Sequence, residues 1–169
     1  MGKREPSVDN STEGTTPLSE IPHHSFMFIG EYTHSIDQKK RLAIPAKFRK
    51  DLGREAVVTR GLDGCLWLYP MREWEILADK LGKLPIGQAQ ARGFARAMLA
   101  GAADVDLDRL GRILIPDHLK QYASLQKNVV VTGLYNRIEL WDEQIWQSYR
   151  AKNEQEVEKM AGDLGSFGV

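Results

Sequence analysis

A nine-residue phrase occurs twice in this chain of 169 residues. Residues 37–45 read DQKKRLAIP and residues 108–116 read DRLGRILIP, so both fit D-x-x-x-R-[LI]-x-I-P at an offset of 71. A repeat that long predicts that one structural unit is built twice. Matches that flank the phrase extend it at the same offset: Gly30 with Gly101, and Ile36 with Leu107.

Each copy is predicted to begin with a β-hairpin. Residues 104–108 alternate polar and apolar side chains, which indicates a half-buried strand. Three turn residues follow in each copy, and a second strand then runs over 41–44 or 112–115. Proline ends that strand and favours the start of a short helix, expected at 46–52 and 117–123.

The remainder of each copy is predicted to hold two further strands and an amphipathic helix. The strands are expected at 56–59 and 66–69 in copy one, and at 129–132 and 137–141 in copy two. A further helix over about 88–100, rich in alanine, is expected to join the copies. Apolar stripes mark the closing helices: Trp74, Leu77, Leu81 and Leu84 in one, Ile145, Trp146, Tyr149 and Val157 in the other.

A single copy is too small to bury much apolar surface, because small domains are marginally stable. Two copies that face each other could share one core. The sequence therefore predicts an α+β fold in which two β-barrel halves form an intramolecular pseudo-dimer with peripheral amphipathic helices. The expected segments are a disordered extension at 1–26, repeats at 27–85 and 101–150, a connecting helix at 86–100, and a helical, acidic tail at 151–169.

The repeated phrase also places an aspartate and an arginine at the two ends of each turn. The carboxylate can accept N–H groups of the turn, as in an Asx-turn, or pair with the arginine. Either contact would fix the direction of the guanidinium, a group well matched to phosphate oxygens and to the guanine edge. An ordinary turn with a surface ion pair is the alternative, but repetition of the flanking residues favours function.

Net charge is zero but unevenly spread. Residues 27–60 contain eight Lys or Arg against four acids, whereas residues 142–169 contain three against six. This asymmetry is typical of a surface that meets a polyanion, although solvated charge explains it equally well. No apolar run approaches the roughly 20 residues that span a bilayer. One cysteine leaves no intrachain disulfide, so we expect a cytoplasmic protein without a membrane partner.

Two rival functions remain open at this stage. An enzyme could use Cys65 as a nucleophile, but its place at the start of an apolar strand favours a buried side chain. A metal site could combine His23 and His24 with His34 or His118, although His34 occupies a packing position of the repeat. A structural scaffold that binds another protein is the second rival, with an aromatic surface of Trp67, Tyr69, Trp74, Trp141, Trp146 and Tyr149. These aromatics more simply fill the core.

Four stretches carry a resemblance to a known family. FIGEYTHSIDQKKRLAIPAKFR, TRGLDGCLWLYPMREWE, LAGAADVDLDRLGRILIP and NRIELWDEQIW together resemble the MraZ family, over about residues 27–150. The resemblance implies tandem SpoVT-AbrB-type domains with swapped hairpins, and ring-like homo-oligomers. It implies a bacterial transcriptional regulator of the nucleoid that binds short repeated boxes upstream of its own division and cell-wall operon. No enzymatic activity, cofactor, metal or small-molecule substrate is expected.

The resemblance makes the D-x-x-x-R turn the DNA-binding element. Carried over to this chain, the predicted DNA-binding residues are Asp37, Lys39, Lys40, Arg41, Asp108, Arg109 and Arg112. The first turn offers more basic side chains, so we expect it to contribute more binding. It departs from the family's D-x-K-G-R, because Lys40 replaces glycine. If that position needs a positive φ, the lysine there is strained.

Overall fold

The computed structural model describes residues 27–168 of the chain. The predicted extension at residues 1–26 lies outside the described residues. Within them, both copies of the repeat follow the same order of strand, strand, short helix, two strands and longer helix. The repeat read from the sequence is therefore also a repeat of structural elements.

The elements have the following bounds. Copy one consists of β1 (Phe28–Ser35), β2 (Arg41–Ala43), α1 (Ala46–Leu52), β3 (Glu55–Arg60), β4 (Leu66–Pro70) and α2 (Met71–Gly82). Next come α3 (Ala89–Ala95) and a π-helical turn (Arg96–Ala100). Copy two consists of β5 (Ala103–Asp106), β6 (Arg112–Leu114), α4 (Asp117–Tyr122), β7 (Asn128–Tyr135), β8 (Arg137–Asp142) and α5 (Glu143–Glu154), followed by α6 (Val157–Leu164) and a 3-10 turn (Gly165–Phe167).

The two copies are joined by hydrogen bonds between their strands. A six-stranded antiparallel sheet has the order β1-β7-β8-β4-β3-β5, and β2 pairs with β6 in a separate ribbon. The first strand of each copy thus pairs with the other copy: β1 runs along β7 from Phe28 opposite Tyr135 to Ser35 opposite Asn128. Likewise β5 lies along β3, with Asp106 opposite Glu55.

The β-barrel predicted from the two halves is not closed in the described strands. The large sheet is open, with β1 and β5 at its edges. The reason lies in the short second strands, which have three residues each and pair with one another, with Leu42 opposite Ile113. They form a ribbon of their own and do not close the sheet.

The apolar half of each repeated phrase lies in the core. Leu42, Ile44, Ile113 and Ile115 are each at most 1% exposed. Burial of a side chain of this size typically contributes about 1.5–3 kcal/mol. The core that they share contains residues from both copies: Phe28, Phe48, Leu52, Val58, Leu66, Leu68, Leu119, Leu125, Val129, Val131, Ile138 and Leu140, among others. Because one core serves both copies, the two turns that precede these residues are fixed relative to each other.

Aromatic side chains fill a second cluster beside α5. Trp141 is 2% exposed, and its ring centroid lies 5.3 Å from that of Trp146 and 4.9 Å from that of Tyr149. Trp67 packs edge-on against Tyr69, which in turn lies 6.2 Å from Trp74. The six aromatics considered for a protein-binding surface are thus packed side chains, each buried or half-buried.

Several element boundaries differ from prediction. The strand expected at 104–108 ends at Asp106; beyond it the Leu107 N–H donates to the Arg54 carbonyl and the Asp108 N–H to that of Arg112. The helix expected at 88–100 is α-helical only over Ala89–Ala95. Among residues 27–168, no helix is both long and apolar enough to cross a lipid bilayer.

Candidate functional site

The first turn is held by both oxygens of the Asp37 carboxylate. Oδ1 accepts hydrogen bonds from the backbone N–H groups of Lys39 and Arg41, each at 2.9 Å. Oδ2 accepts from the Arg41 guanidinium, with Nε and Nη2 both at 2.9 Å. The sequence left open whether the aspartate would bind the turn or the arginine, and the structure has it bind both.

The second turn repeats this geometry. Oδ1 of Asp108 accepts from the N–H groups of Leu110 and Arg112 at 2.9 Å. Oδ2 accepts from Arg112 Nε at 2.8 Å and lies 2.7 Å from its Nη2. Each guanidinium therefore has the same two atoms, Nε and Nη2, bound by its own aspartate, so both guanidiniums are oriented by the turn that carries them.

These contacts stabilise the charged form of each aspartate. The backbone hydrogen bond from Arg41 is the main cause that lowers the pKa of Asp37. The side-chain hydrogen bond from Arg112 is the main cause that lowers the pKa of Asp108 to about 2. Both carboxylates are ionised at neutral pH, and each partly offsets the charge of its arginine.

The two turns lie side by side. Arg112 Nη1 is 3.7 Å from Asp37 Oδ2, so an arginine of copy two reaches the aspartate of copy one. The pairing of β2 with β6 sets this distance, because it places Ala43 opposite Arg112 and Arg41 opposite Leu114. We call residues 37–41 and 108–112 together the paired turns.

Neither guanidinium is enclosed in the fold. The side chains of Arg41 and Arg112 are 32% and 23% exposed. Lys39 and Arg109 are exposed and make no ion pair within residues 27–168. Of the seven predicted site residues, all lie in the paired turns, and they combine five basic side chains with two acids. The arrangement can present cationic groups to an anion from both copies at once.

Lys40 occupies the conformation that glycine favours. Its φ is 62°, and the equivalent Gly111 has a φ of 73°. A left-handed conformation costs a non-glycine residue about 1–2 kcal/mol. The Nζ of Lys40 lies 2.7 Å from Oδ1 of Asp117 in α4 and donates a hydrogen bond to Oδ2 at 2.8 Å. This ion pair, whose side-chain hydrogen bond lowers the pKa of Asp117, ties the first turn to the second copy.

Arg49 is a residue near the site that sequence reasoning missed. It lies in α1 of copy one, and its Nε donates to the Ile44 carbonyl at 2.8 Å. A Cβ atom built on Gly111 would overlap its Nε and Cζ and lie 2.6 Å from its Cδ. The only sequence signal was the glycine in the second turn, which shows where space is needed and not what fills it.

The residues of the rival hypotheses are placed differently. Cys65 is 1% exposed, and burial raises the pKa of its thiol, which donates to the Leu62 carbonyl at 3.1 Å. It is a buried small side chain, as favoured from the sequence. His34 is half-buried and His118 exposed, while His23 and His24 lie outside the described residues. The described part of the chain contains no group of three His, Cys, Asp or Glu that could hold a metal ion.

Comparison with known proteins gives a consistent result. A family model described as "MraZ protein, putative antitoxin-like" matches residues 27–97 and again residues 98–164. Curated proteins named "Transcriptional regulator MraZ" are similar to the chain over most of its length. That of Natranaerobius thermophilus is 46% identical over 143 residues, 85% of this chain and 100% of the relative. Those of Halothermothrix orenii and Clostridium tetani are 49% and 47% identical, over 85% and 82% of this chain and 100% and 99% of the relatives.

Proposed function

Because this chain belongs to the MraZ family, we propose that it is a DNA-binding regulator of transcription and that the paired turns bind the duplex. The observation that carries the proposal is the approach of Arg112 to Asp37, 3.7 Å apart, which brings two oriented arginines to one surface. The relatives' name, transcriptional regulator, supports the same interpretation. No catalytic role is proposed for any residue.

Each of the seven predicted site residues has a proposed role. Asp37 and Asp108 orient the guanidiniums, since the carboxylate of each is bound by Nε and Nη2 of its arginine. Arg41 and Arg112 read base edges, where a planar fork can bind guanine O6 and N7. Lys39, Lys40 and Arg109 contact phosphates, which supply affinity and its dependence on salt.

The first turn is proposed to contribute more of the binding energy, as the sequence suggested. It offers Lys39 as an exposed cation without an ion pair in residues 27–168, and its Arg41 is more exposed than Arg112. Within the described chain, Nη1 of Arg41 has no hydrogen-bond acceptor, whereas Nη1 of Arg112 faces Asp37. Lys40 contributes less while it is paired with Asp117.

The finer architecture is also a proposal. We infer two swapped-hairpin units of the SpoVT-AbrB type, at 27–85 and 101–150, that form a pseudo-dimer. The region at 86–100, which contains α3, connects them, and residues 151–169 form a tail. The exchange of first strands between copies, β1 onto β7 and β5 onto β3, supports the pseudo-dimer. The two-stranded ribbon of β2 and β6 supports it further, because one strand comes from each copy.

Operator choice and assembly complete the proposal. One molecule presents few basic side chains, and a homo-oligomeric ring that repeats the paired turns would raise affinity through effective concentration. Short DNA boxes spaced about 10 bp apart would then meet successive subunits on one face of the duplex. We propose such boxes upstream of the protein's own operon of division and cell-wall genes, with the protein associated with the nucleoid.

Selection of DNA by the full chain tests the proposal. Purified protein is mixed with fragments of its own genome at physiological salt, and the retained DNA is sequenced. We expect enrichment of a short repeated box upstream of the gene itself, with size measurement by light scattering giving a homo-oligomer. Retention of all fragments in proportion to their length would contradict sequence-specific binding, and retention of none would leave the alternative of an oligomeric, protein-binding scaffold.

A further inference from the structure

The paired turns are braced by different chemistry, although the sequence repeats. In the first turn, Lys40 carries a side chain that pairs with Asp117 of the second copy. In the second turn, Gly111 carries none, and the side chain of Arg49 from the first copy lies in the space where a Cβ would be. A side chain at 111 and the present position of Arg49 exclude each other.

A continuous chain of hydrogen bonds connects Arg49 with the second turn. Arg49 Nε donates to the Ile44 carbonyl at 2.8 Å, and the Ile44 N–H donates to the Gly111 carbonyl at 2.9 Å. The Gly111 N–H donates to the Asp108 carbonyl at 2.9 Å. Oδ1 of Asp108 then accepts from the Arg112 N–H, and its Oδ2 from Arg112 Nε. Ile44, through which Arg49 joins this chain of hydrogen bonds, is held in the core at 0% exposure.

The position of Arg49 suits a brace better than a DNA contact. Its side chain is half-buried, its Nε is engaged by a backbone carbonyl, and its stem lies on Gly111. A lysine there could keep the charge, but it could not reproduce a planar group packed on a glycine while bonded at Nε.

We propose that Arg49 is a positioning residue that braces the second turn from the other copy of the repeat and thereby fixes the direction of Arg112. This rests on the proposed function, in that Arg112 must contribute to DNA binding for the brace to affect affinity. The brace also explains why the second turn contains glycine at 111, whereas the first turn accommodates Lys40.

The test compares Arg49→Met and Arg49→Lys with a matched control, Lys50→Met, which removes an exposed cation from the same helix. DNA affinity is measured by fluorescence anisotropy on the selected operator fragment. The pKa of Asp108 is measured by carboxyl ¹³C NMR, together with the Nε–H resonance of Arg112. These two spectroscopic readouts report the turn itself in the free protein.

We expect both Arg49 variants to bind DNA about tenfold more weakly, as for partial loss of a base-reading arginine. The pKa of Asp108 should rise from about 2 towards the ordinary value near 3.9, and the Arg112 resonance should shift. Lys50→Met should leave both spectroscopic readouts unchanged. If Arg49→Met lowers stability too far, Arg49→Lys, which retains a donor and the charge, provides the same comparison.

Three outcomes would overturn the proposal. An unchanged Asp108 pKa and Arg112 resonance in Arg49→Met exclude a brace, whatever the DNA affinity. Full recovery of binding by Arg49→Lys indicates a charge contact with phosphate instead. Arg112→Ala, measured in parallel, separates this inference from the proposed function. Native DNA binding by Arg112→Ala contradicts the DNA role of the second turn. If Arg112→Ala binds weakly but Arg49→Met binds as the parent does, only the brace is contradicted.

Discussion

The carboxylate of Asp37 lies 3.7 Å from the guanidinium of Arg112, although the two residues belong to different copies of the repeat. The same Oδ2 atom accepts the hydrogen bond from Arg41 Nε at 2.9 Å. Asp37 therefore faces both arginines that we assign to base recognition. An aspartate shared in this way keeps two like charges at a fixed separation, which would be costly without an anion between them.

Replacement of Arg41 by alanine tests the first turn. We expect about tenfold to a hundredfold weaker binding to the selected operator, because the variant cannot make a bidentate contact to a base edge. Asp37 would also lose the closer of the two guanidiniums at its Oδ2, and its less compensated charge would repel phosphate. Anisotropy at physiological salt measures the affinity, and light scattering should give an unchanged oligomer size. The control is Arg72→Ala, which removes an exposed arginine of α2 that is remote in sequence from the turns. Equal losses of DNA affinity in the two variants would argue against a specific role of Arg41.

Lys39 should behave differently, because its exposed ammonium is assigned to phosphate. Lys39→Ala is expected to weaken binding to operator and to unrelated DNA by similar factors. The slope of log affinity against log salt should decrease in magnitude by about 0.9, the value expected when one phosphate is no longer neutralised by the protein. Titrations at four salt concentrations on both DNAs provide the measurement. A weakening confined to the operator would assign Lys39 to base reading instead.

Asp117 is expected to restrain DNA binding. Its carboxylate pairs with Lys40 Nζ at 2.7 Å, so Asp117→Asn should release the ammonium for phosphate and remove a negative charge beside the turns. We expect roughly two- to fivefold tighter binding at low salt, and a smaller gain as screening increases. The matched control is Asp79→Asn. Asp79 lies in α2 and forms another exposed ion pair, with Lys83. Weaker binding by Asp117→Asn would mean that the ion pair orients Lys40 for its role at the phosphate.

Most of the helices and strands could be predicted from the sequence, because the turn residues and prolines that bound them act locally. The helix expected at 46–52 is α1 (Ala46–Leu52) itself, since the preceding Pro45 and the apolar Phe48 and Leu52 are read directly from the chain. The open sheet was not predicted, because the partner of a three-residue strand depends on tertiary pairing. Nothing local distinguishes β2 paired with β6 from β2 closing a barrel.

Part of the geometry of the candidate site was predicted for the same reason. Asp37 and Arg41 are four residues apart, so a hairpin turn brings them together whatever the rest of the chain does. The interactions between copies were not accessible from the sequence: Lys40 with Asp117, and Arg49 with Gly111. The pairing of Asp117 with the first turn depends on how the copies face each other.

Lys40→Gly tests the backbone strain of the first turn. Glycine adopts a φ of 62° without a steric penalty, so the substitution should raise the free energy of unfolding by about 0.5–1 kcal/mol at high salt. At low salt the gain should be smaller, because the variant lacks the ion pair with Asp117, which is strongest when screening is weak. Urea unfolding at two salt concentrations measures both values. If Lys40→Gly gains less stability at high salt than at low salt, the assignment of the two effects to backbone strain and to the ion pair would be contradicted.

Asp108 provides a test by pH. Its pKa is about 2 in the folded protein and near 3.9 in an unfolded chain, so its folded-state value is lowered. Its contribution to stability is therefore fully present above about pH 4, falls as the pH decreases towards 2, and is absent below that. Asp108→Asn keeps the acceptor for the turn N–H groups but loses the charge that binds Arg112. We expect the variant to be less stable than the parent at pH 6 and the difference to shrink between pH 4 and 2 in urea unfolding. The control is Asp51→Asn, which alters an exposed carboxylate without an ion pair in residues 27–168; its stability difference from the parent should show no such convergence. If the stability difference between Asp108→Asn and the parent is constant with pH, the ion pair with Arg112 contributes nothing to folding.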